Sequence, residues 1–249
     1  MVPVLAALVV LFWTSPSVAR ASVTDRFTRT IHLAPRTPIR VDATVAEITI
    51  TGSNRMDVLV EIVRHAPSTA ALTRFPALVD ERPDALYISA VEAGDGRDPD
   101  LKTEITISAP ADALFEAVRI FEGRVKVTNL KAACDVDLRR GAIDAAGLAG
   151  RVRLEVGIGS LDLKQPELTP GGMLRLRVFN GPLRVRFARA PANARILAVT
   201  LNGTITSDIP LTMKDRFGPR FGETTLGSGE PVMSVDVVKG DISIVLGGK

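Results

Sequence analysis

The sequence predicts an all-β protein, a single-domain β-solenoid of stacked short strands, and three observations carry that prediction. The first is a recurring phrase, Gly-x-Φ-x-Φ with Φ aliphatic. It reads Gly123-Arg-Val125-Lys-Val127, Gly141-Ala-Ile143-Asp-Ala145, Gly150-Arg-Val152-Arg-Leu154, Gly159-Ser-Leu161-Asp-Leu163, Gly172-Met-Leu174-Arg-Leu176 and Gly181-Pro-Leu183-Arg-Val185. The second is spacing: these glycines step by 18, 9, 9, 13 and 9, a nine-residue unit with one insertion at residues 166–171. The third is composition. Apolar residues make up 46% of the chain but aromatics only 4%, so the interior is built from Val, Ile, Leu and Ala. That suits a narrow core better than a roomy pocket.

The phrase has a direct physical meaning. In a strand, residues i and i+2 share a face, so each dyad sends two aliphatics inward while Lys126, Arg153, Asp162 and Arg184 face water. Glycine before each dyad permits a sharp corner or a close approach. One unit buries less than ordering its backbone costs, so the units must stack to be stable. The alternative architecture is a β-sandwich or open repeat sheet, which also uses short strands at similar spacing. A sandwich has no need of a glycine recurring in one phase.

Taken in order, residues 1–21 read as a signal peptide. The first thirteen are apolar, and Thr14-Ser-Pro-Ser-Val-Ala-Arg-Ala21 supplies breaking and small residues, with cleavage after Ala19 or Ala21. The alternative, an N-terminal membrane anchor, needs a longer apolar run, roughly 17–25 residues. The expectation is export to the periplasm or cell surface of a bacterial envelope. Residues 22–249 then form the β-repeat domain, with 22–110 as a less regular N-terminal section and 111–246 as the regular repeat.

Within the first section, residues 27–63 alternate like strands, Ser68 is placed to cap a short helix that Pro76 would stop, and residues 86–91 and 102–108 are further strands. Gly94-Asp-Gly96-Arg-Asp98-Pro99 reads as a loop. Residues 111–120 mix helical and strand spacing and are assigned to strand. After Pro191 the pattern returns at Leu201-Asn202-Gly203-Thr204-Ile205 and closes at Lys239-Gly240-Asp241-Ile242-Ser243-Ile244.

Chemistry-bearing residues are sparse. Cys134, the only cysteine, lies in the apolar phase of Cys134-Asp-Val136-Asp-Leu138 and reads as a small buried hydrophobe. His32 and His65 sit in no zinc or triad pattern. Asp135, Asp137, Asp144 and Asp162 occupy outward positions where a β-helix lyase would bind calcium, but arginine and lysine interleave them and compensate their charge. Asn202-Gly203-Thr204 matches a glycosylation sequon and reads as a turn. Gly157-Ile158-Gly159 lacks the third glycine of a dinucleotide loop. No cofactor or metal is implied.

Net charge is +3, too mild to name a nucleic-acid partner. Residues 111–190, however, carry 14 Lys/Arg against 9 Asp/Glu. Arg151, Arg153, Arg175, Arg177, Arg184 and Arg186 are the candidate site, a basic ladder for an anionic glycan, a lipid headgroup or an envelope protein. Against this stands the plain use of arginine to cover a sheet face with its aliphatic stem.

On its glycine-dyad phrases, its Asn202-Gly203-Thr204-Ile205-Thr206-Ser207-Asp208-Ile209-Pro210 segment and its closing Lys239-Gly240-Asp241-Ile242-Ser243-Ile244, the chain resembles a bacterial domain-of-unknown-function family of exported, adhesin-like β-strand-repeat proteins. It departs at Thr44-Val45-Ala46-Glu47, where an Asn-Gly-Asp turn is expected. The resemblance implies an exported solenoid-like domain with no assigned reaction and adds no catalytic residue. The functional expectation is a non-catalytic envelope scaffold, adhesion or binding module. The alternatives are a carbohydrate-active β-helix enzyme, which the scarcity of Trp and Tyr disfavours, and an envelope-stress sensor.

Overall fold

In the computed structural model, which describes residues 22–92, 98–214 and 218–247, the chain is all-β with one short helix. The signal-peptide reading of residues 1–21 and most of the 94–99 loop lie outside these residues. The elements in chain order are β1 (Val23–Ile31), β2 (Pro38–Ser53), β3 (Val58–Ala66), α1 (Thr69–Arg74), β4 (Leu78–Glu81), β5 (Leu86–Ala90), β6 (Lys102–Pro110), β7 (Leu114–Thr128), β8 (Cys134–Ala146), β9 (Arg151–Lys164), β10 (Met173–Asn180), β11 (Leu183–Phe187), β12 (Ala194–Asn202), β13 (Ile205–Ser207), β14 (Thr212–Lys214), β15 (Arg220–Leu226), β16 (Val232–Lys239) and β17 (Ile242–Leu246). The seventeen strands of the described residues are joined by hydrogen bonds into one large open sheet.

The repeating unit is a bent rung of two arms, and it spans eighteen residues. Val136 pairs with Leu154 and Gly141 with Gly159 in a parallel register that runs the length of β8 and β9. The nine-residue phrase is one arm, so two phrases make a rung. In β7, β8 and β9 both arms belong to one strand bent at Gly123, Gly141 and Gly159. Later the bend interrupts the strand: β10/β11 break at Gly181, β16/β17 at Gly240 and β12/β13 at Gly203. The insertion at residues 166–171 lengthens the step between β9 and β10, where Leu174 pairs with Val152.

The corner glycines form a column of touching backbones. A Cβ on Gly159 would lie 1.6 Å from the carbonyl oxygen of Gly141, and one on Gly141 would lie 1.8 Å from that of Gly123. The series continues from Ala46 through Gly123, Gly141, Gly159, Gly181 and Gly240 to Gly203. Gly159 also has φ +141, a conformation L side chains rarely adopt. The departure at Ala46 now has a cause. The column's Cβ positions point to the preceding rung, and β5 and β6 pair with β2 only over Ile39–Ala43 and Glu47–Ser53, so neither strand has a residue paired with Ala46.

Beyond the second arm the chain turns again at Asn129, Gly147 and Gln165, with φ 58, 61 and 48. These turns stack too: the Asn129 N–H donates to Ala146 and the Gly147 N–H to Lys164. Leu130 and Leu148, just after them, are fully buried. The inward dyads, from Ile48/Ile50 through Val125/Val127 and Leu161/Leu163 to Ile242/Ile244, form one continuous core cluster.

Spatial order departs from chain order at both ends. β2 lies between β5/β6 and β7, and the closing strands β16/β17 insert between β10/β11 and β12/β13. The ambiguous stretch 111–120 enters strand β7 at Leu114. Its mixed spacing comes from a register shift between Phe115 and Val118, both buried although three residues apart. The helix forms where read, with Ser68 accepting from the Ala71 N–H and the helix ending before Pro76. Arg64 is buried beside it; it donates to the Phe75 and Leu72 carbonyls and pairs with Asp25.

The column yields a paired prediction. Gly159→Ala should lower stability by about 3 kcal/mol or more, because backbone must move. Gly171→Ala, also at positive φ (+76) but with nothing within 4 Å of its added Cβ, should cost only about 1 kcal/mol. Urea unfolding of the two variants makes the comparison.

Candidate functional site

The six arginines fall on two faces of the stack. Arg151 and Arg153 on β9 and Arg175 and Arg177 on β10 share the first arm, with Arg153 directly opposite Arg175. Arg184 and Arg186 on β11 lie past the Gly181 corner, on the second arm, beside Asp162 and Lys164. The candidate ladder is therefore a group of four and a separate pair.

Half of these cations are already engaged. Arg153 meets Asp135 at 3.2 Å and Glu155 at 2.8 Å; burial works against its charge, and the two carboxylates outweigh this and raise its pKa. Arg186 pairs with Asp162, whose hydrogen bond raises its pKa. Arg177 lies over the Phe179 ring, 4.8 Å from the centroid, and its buried Nε has no hydrogen-bond partner. Arg151, Arg175 and Arg184 are exposed and make no ion pair among the described residues. Arg151, Arg153 and Arg175 border a common depression of about 330 Å³, together with Glu116 and Asp135.

The outward acids complete a lattice of compensated charge. Besides Asp135 and Asp162, Asp137 meets Arg119 at 3.5 Å and Asp144 meets Arg124 at 3.3 Å. Among the described residues no group of three or more His, Cys, Asp or Glu is arranged to hold a metal ion. His32 is exposed, and His65 lies 2.9 Å from the Thr24 hydroxyl. Gly203 of the Asn-Gly-Thr turn belongs to the corner column, and Thr204 donates through its N–H and hydroxyl to Asp241, lowering that carboxyl's pKa.

Sequence reasoning missed a second surface, at the glycine corner. Phe121, Ile158, Phe179 and Leu201 stand there 49%, 50%, 41% and 51% exposed. Each lies one or two residues before a corner glycine. Phe121, Phe179 and Ile158 border a cleft of about 360 Å³ with Arg139 and Arg140, and Gly157 is part of its lining. A Cβ on Gly157 would meet the Arg139 carbonyl at 2.4 Å, so close backbone approach keeps that position bare. The available signal was a large apolar residue in outward phase just before the glycine, as in Phe121-Glu-Gly123, Phe179-Asn-Gly181 and Leu201-Asn-Gly203.

No protein-family model matches the sequence, and no curated protein matches it. Several solved structures of bacterial proteins align with most of the chain at low identity. A candidate cell-adhesion protein from Clostridium sporogenes is 11% identical over 88% of this chain and 99% of its own, with TM-score 0.47. A candidate adhesin from Bacteroides fragilis is 15% identical over 89% and 97%, with TM-score 0.34. A protein from Parabacteroides distasonis, named as a candidate lipid-binding protein, is 10% identical over 89% and 97%, with TM-score 0.30. Among the described residues no helix is long and apolar enough to cross a membrane.

Cys134 borders the arginine depression but is 1% exposed, and burial pushes its thiol up to about 12, with Asp135 adding to the shift. A thiol that ionises near 8.5 when unfolded but stays neutral in the fold costs nothing below that pH. As pH rises above it, the unfolded state alone sheds the proton and stability falls. Between pH 8 and 10 the wild type should lose about 1–2 kcal/mol more than Cys134→Ala, measured by urea unfolding at each pH.

Proposed function

We propose that the chain is an exported, non-catalytic β-solenoid, one coil per eighteen-residue rung, that acts in the bacterial envelope as a binding or adhesion module. Export rests on the composition of residues 1–21, and the coil on the stacked corner and turn columns. The contact face is the first-arm depression, with Arg151 and Arg175 as its principal residues and Arg153 and Arg177 beside them. Arg184 and Arg186 form a secondary patch around the corner.

The observation that carries this reading is that Arg151 and Arg175 are exposed and make no ion pair among the described residues, while Asp135, Asp137, Asp144 and Asp162 already have arginine partners. An uncompensated guanidinium beside a depression favours an anion, and its planar fork suits the carboxylates and sulfates of an acidic polysaccharide. The full-length chain should bind an immobilised acidic polysaccharide in a salt-sensitive manner. Arg151→Ser/Arg175→Ser should weaken retention on the order of tenfold at about 0.1 M salt, while Arg124→Ser on the other arm leaves it unchanged. Absence of wild-type retention, or equal retention by the double variant, would overturn the assignment.

A further inference from the structure

We propose that the glycine corner is a second binding surface, an amphipathic ridge that docks on a lipid bilayer bearing anionic headgroups. It lies apart from Arg151 and Arg175 and meets the arginine face only where Arg177 lies over the Phe179 ring and Arg153 holds Glu155.

The ridge follows from register. Phe121, Arg139, Gly157, Phe179, Val238 and Leu201 occupy the position two before the corner glycine on consecutive rungs, and Glu122, Arg140, Ile158, Asn180, Lys239 and Asn202 the position one before it. With rungs about 4.8 Å apart, the span from β7 to β12 is about 24 Å. Four large apolar side chains lie along it, each 41–51% exposed. Set along one edge with Arg139, Arg140 and Lys239 between them, they make an exposed amphipathic surface of the kind that marks an interaction site.

Charge selects the occupant. Arg139, Arg140 and Lys239 are exposed on this edge and make no ion pair among the described residues. The edge also carries Glu122, opposite Arg140 in register. The acids bordering the cleft, Asp137 and Glu155, are held by Arg119 and Arg153. Apolar side chains beside cations that lack an ion pair among the described residues match an interface in which acyl chains lie under anionic headgroups. A soluble polyanion would use the cations and leave Phe121, Ile158, Phe179 and Leu201 in water. A second copy meeting this edge about a two-fold axis would bring together two surfaces that each carry Arg139, Arg140 and Lys239 against the single acid Glu122 of the two columns, so like charge would predominate.

Co-sedimentation of the full chain with vesicles tests the proposal, comparing phosphatidylcholine alone with about 30% phosphatidylglycerol at about 0.1 M salt, where screening acts over about 10 Å. The wild type should pellet with the anionic vesicles and be released by salt. Phe121→Ser/Phe179→Ser should reduce partitioning at least tenfold, and so should Arg139→Ser/Arg140→Ser, at about fivefold per cation near the surface. Unchanged urea midpoints would show that these exposed substitutions leave the fold intact. Arg151→Ser/Arg175→Ser should pellet like wild type, which separates this surface from the polysaccharide face. Four results overturn the proposal: no wild-type pelleting; equal pelleting by the ridge variants, as expected if residues 1–21 carried the binding; loss in Arg151→Ser/Arg175→Ser; or a wild-type dimer by analytical ultracentrifugation that the phenylalanine variant abolishes.

Discussion

The close approach of backbones at the rung corner is the constraint on which the rest of the structure depends. Where the Gly141 carbonyl comes within 1.6 Å of any Cβ on Gly159, no side chain fits, and one glycine must stand above another from β8 onward. Residue identity at the corner thus sets register. With Gly141 opposite Gly159, Ile143 falls opposite Leu161 and Val136 opposite Leu154, and a one-residue slip would turn each inward dyad to water. The column couples local backbone geometry to the packing of the whole core.

The same stacking leaves a problem at the ends, where a rung presents unpaired backbone to another chain. At the N-terminal end, antiparallel strands β4, β3 and β1 cover β5 and β6. The outermost nine-residue strand β1 carries Arg26, paired with Glu61, and Arg29, which donates to the Val79 carbonyl. At the other end the edges are the three-residue strands β13 and β14. Charge at one end and brevity at the other discourage further pairing. β16 and β17 follow β12 and β13 in the chain yet lie inside the stack, so this part forms its final register only when the chain returns to the gap between β10/β11 and β12/β13.

What the sequence disclosed follows from the range of each constraint. The corner glycines, the inward dyads, the Ser68 cap and the insertion at residues 166–171 are local, and each was legible. Half a rung resembles the other half, so the phrase showed a nine-residue unit where pairing has a period of eighteen. The register shift at Phe115 made a strand mimic helical spacing. The internal position of β16/β17 is a long-range pairing that no local pattern encodes. The arginines read as one ladder because alternation records inward and outward but not which arm a residue occupies; Gly181 turns Arg184 and Arg186 away from Arg175 and Arg177.

A repeat protein spends its regularity on the core, so function has to be sought where the repeat is broken on the outside. The inward column through Ile48, Val125, Ile143, Leu161, Leu183 and Ile242 is aliphatic at every rung, as a shared core requires. The outward column before the corner runs Phe121, Arg139, Gly157, Phe179, Val238, Leu201, and backbone packing explains only Gly157. Water favours charged or small polar residues at such sites, and Asp135, Asp137, Asp144, Glu155 and Asp162 on neighbouring columns conform, each with its arginine. Phe179 has Arg177 over its ring, but Phe121, Ile158 and Leu201 stand about half exposed beside cations that make no ion pair among the described residues, and they gain little from the fold that holds them. Their stabilisation must come from something that covers them, and the register that aligns the core also places them on one edge.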